Sequence, residues 1–500
     1  MRRPAAADLL LGIDAGTTLM KAALYAPDGS CLGTGQAAQG VVSPQPGLAE
    51  QDPVTWWRGL RRAVRQALAR AGMRGDQVGA IGLSTQGGTL AVFDQSGASR
   101  GPALVWSDAR QRADADDDPR SRQEHFQLTG LPHRDMTPAA IRWLKSRRPE
   151  RFAAPYRIGY VPDYLIFRLT GQWVSDATNL GICNICDLRS GDIALPVIEA
   201  LGIPREAFAA TRQAGEVAGT LLPDAAQALG LQAGIPVAVP AHDQYAAAMG
   251  AGCTEPGDLL LSTGTAWVVL LITREPITDR NGSFWPGRHV RQGMWGLMGA
   301  ISSGSCTLDR LLTITRQRPD WDRINAAVEP IPAGSGGLLV IPHLVGRTLP
   351  SRDAQARGAI IGWSLGHTRE HFWRAAMEGL AMETRAACDY LAGHGARIGG
   401  LRMVGGAARS TIWPGILASV LGTAVRAGAH EDVAVRGAAC LAARALGRPE
   451  LPSTTNWQEH DPVPEWRTCY QEAYDRYRRT ILRLEESPGD VTWGVLPCGQ

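Results

Sequence analysis

Asp8-Leu-Leu-Leu-Gly-Ile-Asp-Ala-Gly-Thr-Thr-Leu-Met-Lys-Ala-Ala-Leu-Tyr25 is the stretch whose reading decides the fold. An apolar run reaches Asp14, breaks at Gly16-Thr17-Thr18 and resumes in alternation through Lys21, Ala23 and Tyr25, the pattern of a strand, a tight turn and a second strand. Gly16 lets consecutive backbone N–H groups converge, and the two threonine hydroxyls add donors, so the turn can hold a phosphate. Asp14, ending a buried strand, can hold a divalent ion directly or through its water shell. Lys21 is placed to reach an outermost phosphate. An ordinary hairpin with a solvated Asp is the other reading of this stretch alone.

A second copy of the plan lies near the middle of the chain. Asp258-Leu-Leu-Leu-Ser-Thr-Gly-Thr-Ala-Trp-Val-Val-Leu-Leu271 is again apolar strand, Gly/Thr turn and apolar strand. Two such hairpins imply two related lobes facing one nucleotide. In this the chain resembles the actin-like ATPase superfamily, whose two lobes each offer a phosphate hairpin.

The 500 residues, 44% of them apolar, suffice for at least two cores. The net charge is +3, with both signs spread along the chain, so there is no basic stripe for nucleic acid. No apolar run approaches the ~18 residues of a membrane span, and Met1-Arg-Arg-Pro leads into a strand, so the expected location is cytoplasmic. Nine scattered cysteines fit a reduced compartment. Cys183 and Cys186 form a lone C-x-x-C without a second pair at zinc-site spacing, and read as buried small residues. A homodimer is left open.

Further along, Cys31 to Gln39 reads as a third strand, Val54 to Ala71 as an amphipathic helix, and Val78–Ser84, Thr89–Asp94 and Ala103–Asp108 as strands; the β-β-β-α-β pattern is that of a mixed sheet with helices packed on it. The acidic run Asp114 to Asp118 reads as a solvated loop. Helices are expected at Pro138–Arg147, Pro162–Leu169, Leu195–Leu201 and Leu222–Leu229. The strand Ile235–Pro240 delivers Ala241-His-Asp-Gln-Tyr245 to its carboxyl end, where α/β sheets keep their ligands. A helix from Gln244 to Gly252 closes the first lobe (residues 1–253), and Cys253–Gly257 is the linker to the second (residues 254–500). There, helices are expected at Gly304 to about Thr315, Thr368–Ala392 and Trp466–Leu484, with Tyr470, Tyr474 and Tyr477 on one face of the last.

Asp243 carries the chemistry in this reading. A carboxylate after an apolar strand can take the proton of a hydroxyl as it attacks the γ-phosphorus of ATP; a helix N-cap is the alternative. Gly405-Gly406 can let a backbone lie flat against an adenine ring, or can be a plain turn pair. Gln86, Trp106, Asp108 and Arg110 follow strand ends, and amide, carboxylate and guanidinium beside an indole suit a polyol.

These segments together resemble the FGGY family of carbohydrate kinases over nearly the whole chain. The matching segments are Gly12-Ile-Asp-Ala-Gly-Thr-Thr, Glu50-Gln-Asp-Pro with Trp56-Trp57, Val105-Trp-Ser-Asp-Ala-Arg110, Asp163-Tyr-Leu, Leu169-Thr-Gly171, His242-Asp-Gln and Thr263-Gly-Thr265. The second half adds Pro342-His-Leu, Met377-Glu-Gly379, Gly405-Gly-Ala407 with Ser410, and Arg436-Gly-Ala-Ala439. The resemblance implies an α/β fold of two actin-like, ribonuclease H-like lobes, with mixed sheets flanked by helices and an interlobe cleft. It matches Asp243 to the catalytic base and Asp14 to the magnesium-associated carboxylate. Gly16, Thr17, Thr18, Lys21, Gly264 and Thr265 match phosphate contacts, Gly405, Gly406 and Ser410 the adenosine pocket, and Gln86, Trp106, Asp243 and Gln244 the sugar contacts.

Two departures stand out. Gly87-Gly88 follow Gln86 where xylulose kinases carry Met-His and glycerol kinases Arg-Glu, and Ala140 stands where a family signature usually has Lys. The glycines leave volume beside Gln86, to be used by a bulkier substrate or filled from another loop; alternatively they serve a turn with φ > 0. The expected activity is transfer of phosphate from ATP, with Mg²⁺, to a primary hydroxyl of a small sugar, most simply a ketopentose. A sugar-alcohol or tetrose kinase is the related alternative, and an actin-like nucleotide-binding protein without small-molecule kinase activity is the alternative of another class.

Overall fold

The computed structural model describes residues 8–112, 119–132, 134–318, 320–428, 432–453 and 456–486; the acidic run at 114–118 lies outside them. Both predicted hairpins form, as Leu9–Ala15 with Leu19–Tyr25 and as Asp258–Thr263 with Trp267–Thr273. Each opens a sheet built on one plan. In the first, Leu9–Ala15 pairs antiparallel with Leu19–Tyr25, which pairs with Cys31–Ala38, while on its other side it pairs parallel with Val78–Thr85, followed by Pro236–Ala238. In the second, Asp258–Thr263 stands between antiparallel Trp267–Thr273, followed by Trp295–Ile301, and parallel Gly400–Gly405, followed by Val425–Gly428. The order third-second-first-fourth-fifth thus occurs twice, which is the duplication the paired hairpins implied.

Alternation along the strands sorts their side chains into layers. Leu9, Leu11, Ile13 and Ala15 point into the outer core of the first lobe, beneath the helix Pro53–Ala71. That helix starts at Pro53 because Asp52 accepts a hydrogen bond from the Val54 N–H, and it stops at Gly72 in the left-handed conformation. Its Trp56, Leu60, Ala63, Val64 and Ala67 are spaced at three to four residues and fully buried. Leu259 and Leu261 likewise face the outer core of the second lobe, against Arg369–Gly393 and the closing helix Arg467–Glu486. Tyr470, Tyr474 and Tyr477 of that closing helix all pack inward. Tyr470 donates to Glu378 at 2.9 Å, and Tyr477 donates to Glu383.

The inner faces meet at a seam. Leu10 and Ala80 from the first sheet and Leu260 and Leu270 from the second share one core with the helices Asp243–Gly250 and Val433–Ala445. The second of these helices belongs to the later half of the sequence but lies on the first sheet. It can do so because side chains are missing at Gly12, Gly82, Gly250 and Gly437. A Cβ on Gly12 would strike the Val435 carbonyl, one on Gly82 that of Ala438, one on Gly250 that of Val433, and one on Gly437 that of Ala246. Buried Arg436 ties the same helix to the first lobe and to the chain beyond it, donating to the Gly29 carbonyl at 3.2 Å and to that of Pro452.

The two strands that follow Val78–Thr85 lie outside the first sheet. Leu90–Phe93 and a shortened Ala103–Leu104 form a separate four-stranded sheet with Glu50–Gln51 and Arg157–Tyr160, because the chain turns sharply at Gly87-Gly88. Beyond Leu104 a bidentate ion pair, Arg110 to Asp108 at 2.8 and 2.6 Å, curls the chain into a turn instead of extending it. Asp108 also accepts from the Ala49 N–H at 2.6 Å, and Arg110 reaches Glu50 at 2.8 Å. Both residues brace the loop from within, their polar atoms engaged with each other, Ala49 and Glu50.

The seam predicts a sharp asymmetry between glycines. Gly437→Ala forces two backbones apart and should destabilise the chain by about 1–3 kcal/mol or more, as overpacking does. Gly415→Ala, also in a helix but with nothing within 4 Å of the new methyl, should be neutral or stabilising. Thermal melting of the two variants side by side measures the difference.

Candidate active site

Three parallel strand ends line up beneath the first hairpin. Asp14 lies opposite Ser84, and Ser84 and Thr85 lie opposite Ala241 and His242, so Asp14 and Asp243 emerge at the same edge. The Ser84 hydroxyl donates to Asp14 at 2.7 Å. Asp14 is only 6% exposed. Burial first, then the negative charges of Asp432 and, more weakly, Asp243 push it up from 3.8 to about 7, against Lys21 and Ser84. Lys21 is paired with Asp432 at 2.6 Å. Burial alone would lower Lys21; the carboxylates of Asp432 and Asp14 more than reverse that and raise it.

Asp243 is not the helix cap. His242 holds that position, its Nδ1 accepting from the Gln244 N–H at 3.3 Å, while Asp243 is the first helical residue and part exposed. A short relay fixes its height. Asp176 accepts from the Thr178 hydroxyl and, at 2.8 Å, from the Thr178 N–H, and the Thr178 hydroxyl in turn accepts from the His242 N–H at 2.8 Å. This relay from Ser175-Asp-Ala-Thr-Asn179 was not read from the sequence; its signal was Asp176 heading the short helix Ala177–Ile182 as a preferred cap.

The first hairpin is knitted to a polar cluster. Trp106 Nε1 donates to the Thr17 hydroxyl at 3.0 Å, which donates to Gln86 Oε1 at 2.9 Å; Thr89 donates to the same oxygen at 3.0 Å. The Gln86 amide donates to Gln51 at 3.2 Å. Gln86, expected among the sugar contacts, is therefore buried and spends its polar atoms on its own lobe. Trp106 keeps 44% of its surface open, and Gln244 has a side-chain oxygen with no partner. In the turn itself Gly16 donates to the Leu19 carbonyl at 3.0 Å, and Thr18 is exposed.

On the second hairpin, Gly264 and Thr265 are exposed, and their carbonyls accept from the N–H groups of Ser305 and Cys306, both at 3.2 Å. Thr263 lies opposite Gly405 and accepts from the Gly406 N–H at 3.1 Å, so the Gly405-Gly406 turn, also exposed, sits against this hairpin. Ser410 departs from its expected place. It is buried, donates to Asn325 at 2.6 Å and accepts from the Trp413 N–H at 3.0 Å, which shapes the turn rather than presenting a hydroxyl.

Gly87-Gly88 does not open a pocket. A Cβ on Gly87 would lie 2.5 Å from His242 Cδ2, and one on Gly88 would overlap the methyl of Met136 and stand 3.3 Å from Trp106 Cβ. Gly88 also has φ +71°. The volume is filled from another loop, and Gly88 serves a turn as well. Cys183 and Cys186 are both buried and unpaired.

Two duplicated lobes, each with an exposed Gly-Thr hairpin, and a carboxylate pair at the edge of the first sheet define the actin-like class of two-lobed phosphotransferases. Within that class the chain belongs to the FGGY family of carbohydrate kinases: the family's N-terminal domain matches residues 9–250 and its C-terminal domain residues 259–446. It is similar to a glycerol kinase of Alkalilimnicola ehrlichii, 31% identical over 88% of this chain and 90% of that one. It is also similar to the L-xylulose/3-keto-L-gulonate kinase of Escherichia coli, 29% identical over 95% and 97%. The crystal structure of a xylulose kinase from Rhodospirillum rubrum superposes with a TM-score of 0.86 at 27% identity, covering 96% of this chain and 99% of that one. The chain is thus an ATP-dependent carbohydrate kinase, and the reading as an actin-like protein without kinase activity falls. Among the described residues no helix is long and apolar enough to cross a membrane.

The buried carboxylate yields a pH prediction. Because Asp14 is raised in the folded chain from 3.8 to about 7, its protonated form contributes stability that is present below about pH 4 and lost as pH rises through about 7. Asp14→Asn keeps the acceptor for Ser84 and never ionises. Its melting temperature relative to the parent should rise from pH 4 to 7 and level off above 8; a constant difference would contradict the assignment. At the turn, Gly88→His should lower the melting temperature, since it meets both a left-handed φ and Met136.

Proposed function

We propose that the chain transfers the γ-phosphoryl group of ATP to a primary hydroxyl of a small sugar of ketopentose size, with Asp243 as general base. The observation that carries this is the placement of Asp243: at the carboxyl end of a parallel strand, part exposed, with the capping role taken by His242 and its height fixed through Thr178 and Asp176. There its carboxylate accepts the proton from the acceptor hydroxyl as the oxygen attacks. Trp106, open on one side, offers the flat face for the sugar's carbon edge, and the free Gln244 oxygen accepts from a hydroxyl.

The nucleotide's phosphates lie between the hairpins, held by Gly16, Thr18 and Lys21 on one side and by Gly264 and Thr265 on the other, with Thr17 ordering the first turn. Gly405 and Gly406 border the adenosine, and Ser410 shapes their turn. Phosphate arriving at Lys21 competes with Asp432 for the ammonium. The residues fit Mg²⁺: a buried carboxylate gathers negative charge against a single lysine, the donor set of an ion that completes its shell with phosphate oxygens and water. Asp14 would hold it, and bound there it neutralises charge developing on the transferred group.

A sugar-alcohol or tetrose kinase is the second reading, favoured by Met136 occupying the space over Gly88. A coupled ADP assay over pentuloses, tetruloses, hexuloses and polyols decides between them. Within it, Asp243→Asn should retain ATP binding and lose about 10²–10⁴ in kcat, the usual contribution of a general base. Turnover equal to the parent's would remove Asp243 from the mechanism.

A further inference from the structure

The side chain over Gly88 belongs to a residue with an unusual backbone. Met136 has φ +60°, a region that side chains other than glycine rarely adopt and that costs of order 1–3 kcal/mol unless its surroundings impose it. Its surroundings do impose it. Fully buried Gln111 clamps both partners: its backbone carbonyl accepts from the Met136 N–H at 2.6 Å, and its side-chain amide donates to the Gly88 carbonyl at 3.0 Å. The adjacent Asp135 accepts from Asn184 at 3.2 Å and, across from the second lobe, from Arg352 at 3.2 Å. Met136 itself is half-buried, with its methyl over Gly88, whose Cβ position would lie 3.3 Å from Trp106 Cβ.

We propose that Met136 is the specificity-determining wall of the acceptor site, one that limits the length of the sugar and leaves unread the configuration of the carbon facing it. The proposal rests on the acceptor lying between Asp243 and Trp106. Two glycines follow Gln86 and offer no side chain of their own; the space over Gly87 is taken by His242, and the space over Gly88 by a thioether from a different loop. A thioether is at best a weak acceptor and cannot donate, so it does not pair with a hydroxyl strongly enough to select its orientation. Selection by a buried polar partner reaches 10⁴ or more, whereas an apolar wall discriminates by about 10–200-fold per carbon, through fit alone. The strained backbone at Met136, held by Gln111 and Asp135, is what keeps the wall forward.

The test uses the full chain in a coupled ADP assay with the four pentuloses, erythrulose, and fructose and tagatose, beside Met136→Gly and Met136→Leu. Glycine accepts φ +60° without strain, so Met136→Gly should melt at or above the parent temperature while losing the wall. The parent should use at least one pair of epimeric pentuloses within about tenfold of each other and the hexuloses poorly, in keeping with weak discrimination by an apolar wall at one carbon. Met136→Gly should raise kcat/KM for hexulose relative to pentulose by about tenfold or more with the KM for ATP unchanged, and Met136→Leu should hold the parent ratio within about threefold. An unchanged hexulose-to-pentulose ratio in a folded Met136→Gly, or a parent that separates every epimeric pair of pentuloses by 10³ or more, overturns the inference alone. Absence of sugar-dependent ADP release by the parent on the whole panel overturns the ketose reading and this inference with it.

Discussion

Contact of bare backbone with bare backbone at the seam is the constraint on which the rest depends. Gly12, Gly82, Gly250 and Gly437 let the helix Val433–Ala445 settle on the sheet of the other lobe closer than any side chain would allow. That approach brings Asp432, at the head of the helix, to Lys21 at 2.6 Å, and sets the two negative charges that raise Asp14 most after its own burial alongside the first hairpin. Packing at the seam and electrostatics at the site are therefore one arrangement. A shift of the helix by the width of a methyl group would separate the lysine from its partner and loosen the charge cluster.

The same seam joins the two lobes through one core. In the core between the sheets the two facing helices carry runs of small residues, Ala246, Ala247 and Ala248 on one and Ala438, Ala439 and Ala442 on the other, beside larger side chains such as Tyr245, Leu260 and Leu270. The small residues let the two helix backbones approach closely. The fully buried tryptophans lie in the outer cores, Trp56 in one and Trp267, Trp373 and Trp413 in the other.

Much of this was legible in the residues because it was written twice. The hairpin at Asp14 admits a bland reading until its repeat at Asp258–Leu271 appears, and the two sheets then follow the same strand order. Asp243 was legible because it follows a run of apolar residues at a strand end. What the sequence hid were contacts between loops with no common period. Gln86 and Ser410 matched binding positions, yet their polar atoms are consumed by Thr17, Thr89, Asn325 and the Trp413 N–H, partners 3 to 85 residues away. The separate sheet formed by the strands after Gly87-Gly88 is not legible either, because alternation reports that a segment is extended and not which sheet it joins. Met136 over Gly88 left no trace, since a missing side chain at one place and a methionine 48 residues later have no relation except in three dimensions.

The central claim is that one nucleotide is held by both hairpins across the seam, and a titration calorimeter tests it most directly. Thr18 and Thr265 are both exposed, so replacing either by alanine leaves the fold intact. Titration of a non-hydrolysable ATP analogue with Mg²⁺ into Thr18→Ala and Thr265→Ala should show affinity falling in each, by about ten- to a hundredfold, the loss of one hydrogen bond to a charged group. Parent affinity in either variant would contradict the account, because it would leave the phosphates in the hands of a single lobe.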